Sequence, residues 1–133
     1  YKYYFNDNGV MNIGWRKIDN IWYYFNINGE MQTGWLFENN IWYHFETTGS
    51  MTVGWKKINN DWYYFNSNGE MQTGWQNIGT PKYHFRDNGV MDIGWREIDG
   101  QWHYFNENGE MQTGWQYING NSYYFDEKGI WKQ

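Results

Sequence analysis

The sequence predicts an all-β fold, a solenoid of stacked β-hairpins built from 20-residue repeats. Three observations carry this. The chain repeats every 20 residues with no insertion, each repeat holds two short runs of β-forming residues, and a two-residue turn signal separates the runs. Gly-Trp recurs at 14-15, 34-35, 54-55, 74-75, 94-95 and 114-115. Phe recurs at 5, 25, 45, 65, 85, 105 and 125, and Met at 11, 31, 51, 71, 91 and 111.

The repeat divides residues 1–133 into a single repeat domain. It comprises a partial leading unit, 1–13, then units 14–33, 34–53, 54–73, 74–93, 94–113 and 114–133. The chain opens inside a unit, at Tyr3-Tyr4-Phe5, so it is expected to be a fragment of a larger protein.

Within unit 14–33, Trp15–Ile18 and Ile21–Phe25 are the β-forming runs. Asp19-Asn20 lies between them, with Asn39-Asn40, Asn59-Asn60, Asp99-Gly100 and Asn119-Gly120 as equivalents. These residue types tolerate the positive φ of two-residue hairpin turns. Gly79-Thr80-Pro81 departs from the pattern, and the missing proline N–H is expected to weaken pairing there. Asn26-x-Asn28-Gly29 then reads as a connecting loop.

A turn at 19-20 fixes the register: Ile18 opposite Ile21, Lys17 opposite Trp22, Arg16 opposite Tyr23, Trp15 opposite Tyr24. Side chains alternate along a strand, so Trp15, Trp22 and Tyr24 share one face while Ile18, Ile21, Tyr23 and Phe25 share the other. A lone hairpin is marginal in water, and stacking lets neighbouring hairpins bury each other's faces. The Ile/Tyr/Phe face is the expected continuous core. The Trp pairs are then expected at the junctions, where their number exceeds what packing requires.

Composition narrows the functions. Aromatic residues make up 24% of the chain, Leu occurs once and Ala not at all, so the core must be built from Trp, Tyr, Phe, Ile and Met. Absence of cysteine excludes disulfides and a thiolate metal site, and suits a cytosolic or a bacterial extracellular protein alike. No apolar run reaches the roughly 18 residues of a membrane span, so membrane insertion is not expected, and no signal peptide is recognisable. A net charge of −5 argues against nucleic acid, which calls for clustered Lys and Arg. The carboxylates fall at turns and loops, and the three His do not cluster in sequence, so neither catalysis, a metal site nor a cofactor is expected.

Gly-Trp, Trp-Tyr-Tyr-Phe seven residues on, then Asn-Gly-x-Met-x-Thr-Gly-Trp resembles the choline-binding, cell-wall-binding repeat of Gram-positive bacteria and their phages. The resemblance covers essentially the whole chain. It implies a left-handed β-superhelix of hairpins that binds choline or phosphocholine on teichoic acid, in a secreted or cell-surface protein without enzymatic activity of its own. A sister group, the receptor-binding repeats of clostridial toxins and the glucan-binding repeats of glucansucrases, shares part of the signature. It keeps oligosaccharide open as the alternative ligand. Trp22, Trp42, Trp62 and Trp102 hold the ring that this sister group usually lacks. A homodimer is left open.

Choline is a quaternary ammonium with no N–H to donate, and its diffuse charge suits the faces of aromatic rings. Such contacts contribute roughly 0.5–2 kcal/mol each, so three rings reach an affinity on the order of millimolar. An array multiplies that weak binding through effective concentration.

The resemblance implies four cages: Trp15, Trp22, Met31 and His44; Trp35, Trp42, Met51 and Tyr64; Trp55, Trp62, Met71 and His84; Trp95, Trp102, Met111 and Tyr124. Two further positions are broken, since Trp75 meets Lys82 and Trp115 meets Ser122 where a second Trp belongs. These are expected to be empty or structural. Protonation of His44 and His84 is expected to weaken their cages near pH 5.5, below the usual value of about 6.5.

A weaker period of 40 overlies the repeat: Glu-Met-Gln-Thr at 30–33, 70–73 and 110–113 alternates with Val-Met-Asn-Ile, Ser-Met-Thr-Val and Val-Met-Asp-Ile. Duplication of unit pairs would account for it.

Overall fold

The turns fold as their residue types dictate. Asp19 and Asn20 hold φ of 52° and 66°, and Asp99 with Gly100 holds 51° and 78°, the paired left-handed conformation of a two-residue turn that matches strand twist. A computed structural model describes residues 2–133; Tyr1, the first residue of the leading partial unit, lies outside them.

Thirteen strands follow from these turns: β1 (Gly14–Ile18), β2 (Ile21–Phe25), β3 (Gly34–Glu38), β4 (Ile41–Phe45), β5 (Gly54–Ile58), β6 (Asp61–Phe65), β7 (Gly74–Asn77), β8 (Lys82–Phe85), β9 (Gly94–Ile98), β10 (Gln101–Phe105), β11 (Gly114–Ile118), β12 (Asn121–Phe125) and β13 (Trp131–Lys132). The first ten pair in sequence order as five two-stranded sheets, and β11, β12 and β13 form a three-stranded one. Among the described residues there is no helix. The register is the one the turns demand, with Trp15 opposite Tyr24 and Ile18 opposite Ile21.

The fourth hairpin shows what Pro81 does. β7 and β8 are four residues long where the other hairpin strands have five. The closing Ile78 N–H to Pro81 carbonyl bond stretches to 3.3 Å.

The residues form two compact units, one running up to Lys57 together with Tyr64–Met71, the other comprising Ile58–Tyr63 and Gln72–Gln133. In the first, Phe25, Phe45 and Phe65 are buried, and Trp15 and Trp35 pack 5.7 and 5.9 Å from Phe45 and Phe65 of the following hairpin. In the second, Phe85, Phe105 and Phe125 are buried, with Trp75 and Trp95 at 5.8 and 5.5 Å from Phe105 and Phe125. The core lies on the expected Ile/Tyr/Phe face, with Phe its most deeply buried member. Phe runs through both units, Tyr83 and Ile118 of the same face are buried in the second, and Ile21, beside the turn at the hairpin tip, is exposed.

Methionine links successive hairpins. Each sits opposite the preceding Phe, as Met51 does opposite Phe45. Its N–H reaches a carbonyl two hairpins back: Met51 to Trp22 (2.9 Å) and Met71 to Trp42 (3.0 Å) in the first unit, Met111 to Lys82 (2.9 Å) in the second.

The 40-residue alternation has a physical counterpart in how each loop is fixed. In one kind of unit, Asn26, Asn66 and Asn106 donate to Glu30, Glu70 and Glu110 across the loop (2.8, 2.8 and 2.9 Å). In two units of the other kind, His44 and His84 stand at the position of Tyr24 and anchor a different network. His44 Nδ1 lies 2.9 Å from Thr52 Oγ1, which donates to Glu46, itself paired with Lys56. His84 Nδ1 lies 2.6 Å from fully buried Asp92, which also accepts from Arg86 (2.8 Å) and forms an ion pair with Arg96 (3.3 Å).

Candidate functional site

A hollow of about 230 Å³ opens in the first unit, lined by Trp15, Trp22, Tyr43, Met51 and Asn68. Its first wall, Trp15, stands on β1 with its ring 6.3 Å from Trp22 at 82°. Trp22 on β2 is the second wall and is 40% exposed. Tyr43 on β4 of the next hairpin closes the third side, 4.8 Å from Trp15 at 65°. Met51 arrives from the loop beyond, fixed by its N–H bond to Trp22.

Trp15 and Trp22 are thus brought together as the sequence predicts, whereas Met31 and His44 are not among the lining residues. The reason is a one-residue step and a one-repeat step. The ring that reaches back across the hairpin stack is Tyr43, because Tyr43 lies on the Phe45 face that Trp15 packs against. His44 alternates to the other side, against Trp35 of its own hairpin at 5.1 Å. Met31 bonds instead to the Lys2 carbonyl and lines a more polar hollow with Lys2, Asn26 and Glu30.

The remaining predicted residues follow the same logic. Trp35 and Trp42 stand 6.0 Å apart at 90°, with Met71 bonded to the Trp42 carbonyl. Trp55 has Tyr64 of its own hairpin at 5.0 Å, and Trp62 is 40% exposed. His84 lies against Trp75 at 4.8 Å, and Tyr124 against Trp115 at 5.3 Å.

In the second unit Trp95 and Trp102 stand 6.4 Å apart at 75°. Tyr123 of the next hairpin lies 4.9 Å from Trp95, the place Tyr43 takes beside Trp15. The fourth side is Trp131, 5.9 Å from both Trp95 and Tyr123, and Met111 is elsewhere. Trp131 was legible: one further 20-residue step from Met111 lands on it.

Carboxylates and one ammonium flank the first hollow. Trp15 Nε1–H donates to Glu38 Oε1 at 2.7 Å, and the Tyr24 hydroxyl bonds the same carboxylate, which holds the Tyr24 phenol above its usual range. Burial, then the charges of Glu70 and Glu38, raise Tyr43 as well, so it stays an uncharged ring. Glu38 occupies a position that is Ile in the other complete units. Lys17 Nζ sits 5.9 Å over the Trp22 ring.

Three rings, with Trp22 and Tyr43 at 82° and 65° to Trp15, surround a hollow with neighbouring carboxylates, an arrangement chemically suited to a soft cation. A choline-binding repeat model matches residues 12–53, 52–91 and 92–129, and a cell wall binding repeat model matches 1–11. The chain belongs to the choline-binding repeat family.

Choline binding protein F of Streptococcus pneumoniae, solved in the presence of a peptidoglycan analogue, is 38% identical over 98% of this chain and 48% of its own, with a TM-score of 0.94. CbpJ of the same species is 42% identical over 93% and 44%, with a TM-score of 0.90. The multimodular pneumococcal cell wall endolysin from phage Cp-1, solved with choline, is 29% identical over 90% and 36%, with a TM-score of 0.62. This choline-binding repeat chain spans less than half the length of each of these structures. No curated protein sequence matches it.

Proposed function

We propose that this chain is a non-catalytic attachment module that holds a secreted protein to the bacterial cell wall by binding choline on teichoic acid. The carrying observation is the hollow bounded by Trp15, Trp22, Tyr43 and Met51. Its rings face inward, it is open to solvent, and Glu38 and Glu70 bias it toward cations. Trp95, Trp102, Tyr123 and Trp131 repeat the arrangement with an indole in place of the thioether. The pair Trp35/Trp42 is proposed as a further wall, with Met71 beside Trp42. The choline-bound phage endolysin supports the reading, as does the match of the repeat models along the chain.

Each cage gains roughly 0.5–2 kcal/mol per ring, which predicts millimolar single-site affinity and much tighter retention on a multivalent surface. Titration with choline, followed by Trp fluorescence, should give saturable quenching. The chain should also be retained on a diethylaminoethyl matrix and elute with free choline. Response to oligosaccharide alone would transfer the site to sugar recognition, and silence toward both would end the proposal.

A further inference from the structure

The fourth hairpin rebuilds the first cage three repeats later, with one wall exchanged. Adding 60 to Trp15, Trp22, Tyr43 and Met51 gives Trp75, Lys82, His103 and Met111. The ring distances and backbone bonds repeat closely. Trp75 lies 5.0 Å from His103 at 65°, as Trp15 lies 4.8 Å from Tyr43 at 65°. Trp75 lies 5.8 Å from Phe105, as Trp15 lies 5.7 Å from Phe45. The Met111 N–H bonds the Lys82 carbonyl at 2.9 Å, as Met51 bonds Trp22.

The exchanged residue does not leave a gap. Lys82 stands where the first cage has its second indole, and its Nζ lies 5.1 Å from the centroid of the Trp75 ring, a closer cation–π contact than the 5.9 Å of Lys17 over Trp22. His103 beside it is buried, and that burial holds its imidazole below the usual histidine range against an opposing hydrogen bond with the Gly129 backbone. The walls are therefore neutral rings, and the cation they would otherwise take from solution is present in the chain itself.

We propose that Lys82 is a tethered substitute for the ligand: its ammonium occupies the Trp75 cage and withdraws that cage from the set open to quaternary ammonium. This rests on the cage reading above. It differs from a merely broken site, which would be vacant. A filled cage keeps Trp75 and His103 ordered without ligand, and it cannot be loaded by raising choline.

The test uses the 133-residue chain and tetramethylammonium chloride. In the wild type, the Lys82 ε-methylene protons should be shifted upfield by the Trp75 ring current. That shift should persist at tetramethylammonium concentrations that saturate the other cages and disappear in Trp75→Leu. Lys82→Trp, which restores the residue found at 22, 42, 62 and 102, should bind one more equivalent by calorimetry than wild type. The extra equivalent should be lost in the Lys82→Trp/Trp75→Leu double variant. Random-coil Lys82 shifts, or displacement of Lys82 by ligand in the wild type, would overturn the inference. So would a folded Lys82→Trp variant with unchanged stoichiometry while the wild type binds. A wild type that binds no tetramethylammonium would instead bring down the cage reading and this inference with it.

Discussion

Replacing Gly69 with alanine separates two costs that glycine avoids in this fold. Gly69 holds φ of +80°, and a Cβ there would lie inside the contact radius of Met51 Sδ and 2.8 Å from its Cγ and Cε. Gly54 holds a similar φ of +78° with nothing within 4 Å of the added atom. Left-handed backbone costs an L-residue about 1–2 kcal/mol, which both variants bear. Overpacking adds about 1–3 kcal/mol, which falls on Gly69→Ala alone. The two variants should therefore differ by about 1–3 kcal/mol in urea denaturation followed by Trp fluorescence. Because Met51 also lines the Trp15/Trp22 hollow, Gly69→Ala should weaken choline binding there by about two-fold or more, and Gly54→Ala should not. Equal stability losses, or unchanged binding in Gly69→Ala, would refute the claim that the thioether is wedged between glycine and cage.

Further outcomes follow from the same geometry. Tyr43→Leu should lower choline affinity at the first cage by about 2- to 30-fold, while His44→Tyr should change it less than about two-fold, read by calorimetry against a Trp22→Leu reference. His44 and His103 are held below the usual histidine range chiefly by burial, so the unfolded chain binds their protons more readily. Their contribution to stability is complete above about pH 6.5 and is lost as the pH falls below it, by at most about 1.4 kcal/mol for each histidine per pH unit. Thermal melts between pH 8 and 5.5 should show this, and His103→Tyr should flatten the dependence; an unchanged slope would contradict it. Asp92→Asn should cost about 1–3 kcal/mol, because a fully buried acceptor for Arg86, Arg96 and His84 loses its charge; a loss under about 0.5 kcal/mol would show the cluster to be dispensable.

The hairpin register was readable in full because two-residue turns leave no slack: Asp19-Asn20 sets every pair from Ile18–Ile21 outward. The walls Trp15 and Trp22 were readable for the same reason. The Tyr43 and Met51 sides of the hollow were not, because they depend on how one hairpin stacks on the next, and alternation within a strand says nothing about that. The backbone bond from Met51 to Trp22 spans 29 residues and moves the Met contribution one repeat downstream of the position first assigned. Packing of Trp15 on Phe45 selects Tyr43 over His44. Glu38 broke the Ile pattern visibly in the sequence, yet its role needed the indole N–H of Trp15 to be placed beside it.

The exchange of methionine for Trp131 carries a chemical consequence. A thioether takes up oxygen from peroxide to become a polar sulfoxide, and an indole resists that mild oxidation far better. Met51 borders the first cage, whereas the last is enclosed by Trp95, Trp102, Tyr123 and Trp131 and offers no sulfur. Under oxidative attack the grip of this chain would fail unevenly, from its sulfur-bearing cages first, with the C-terminal one holding longest.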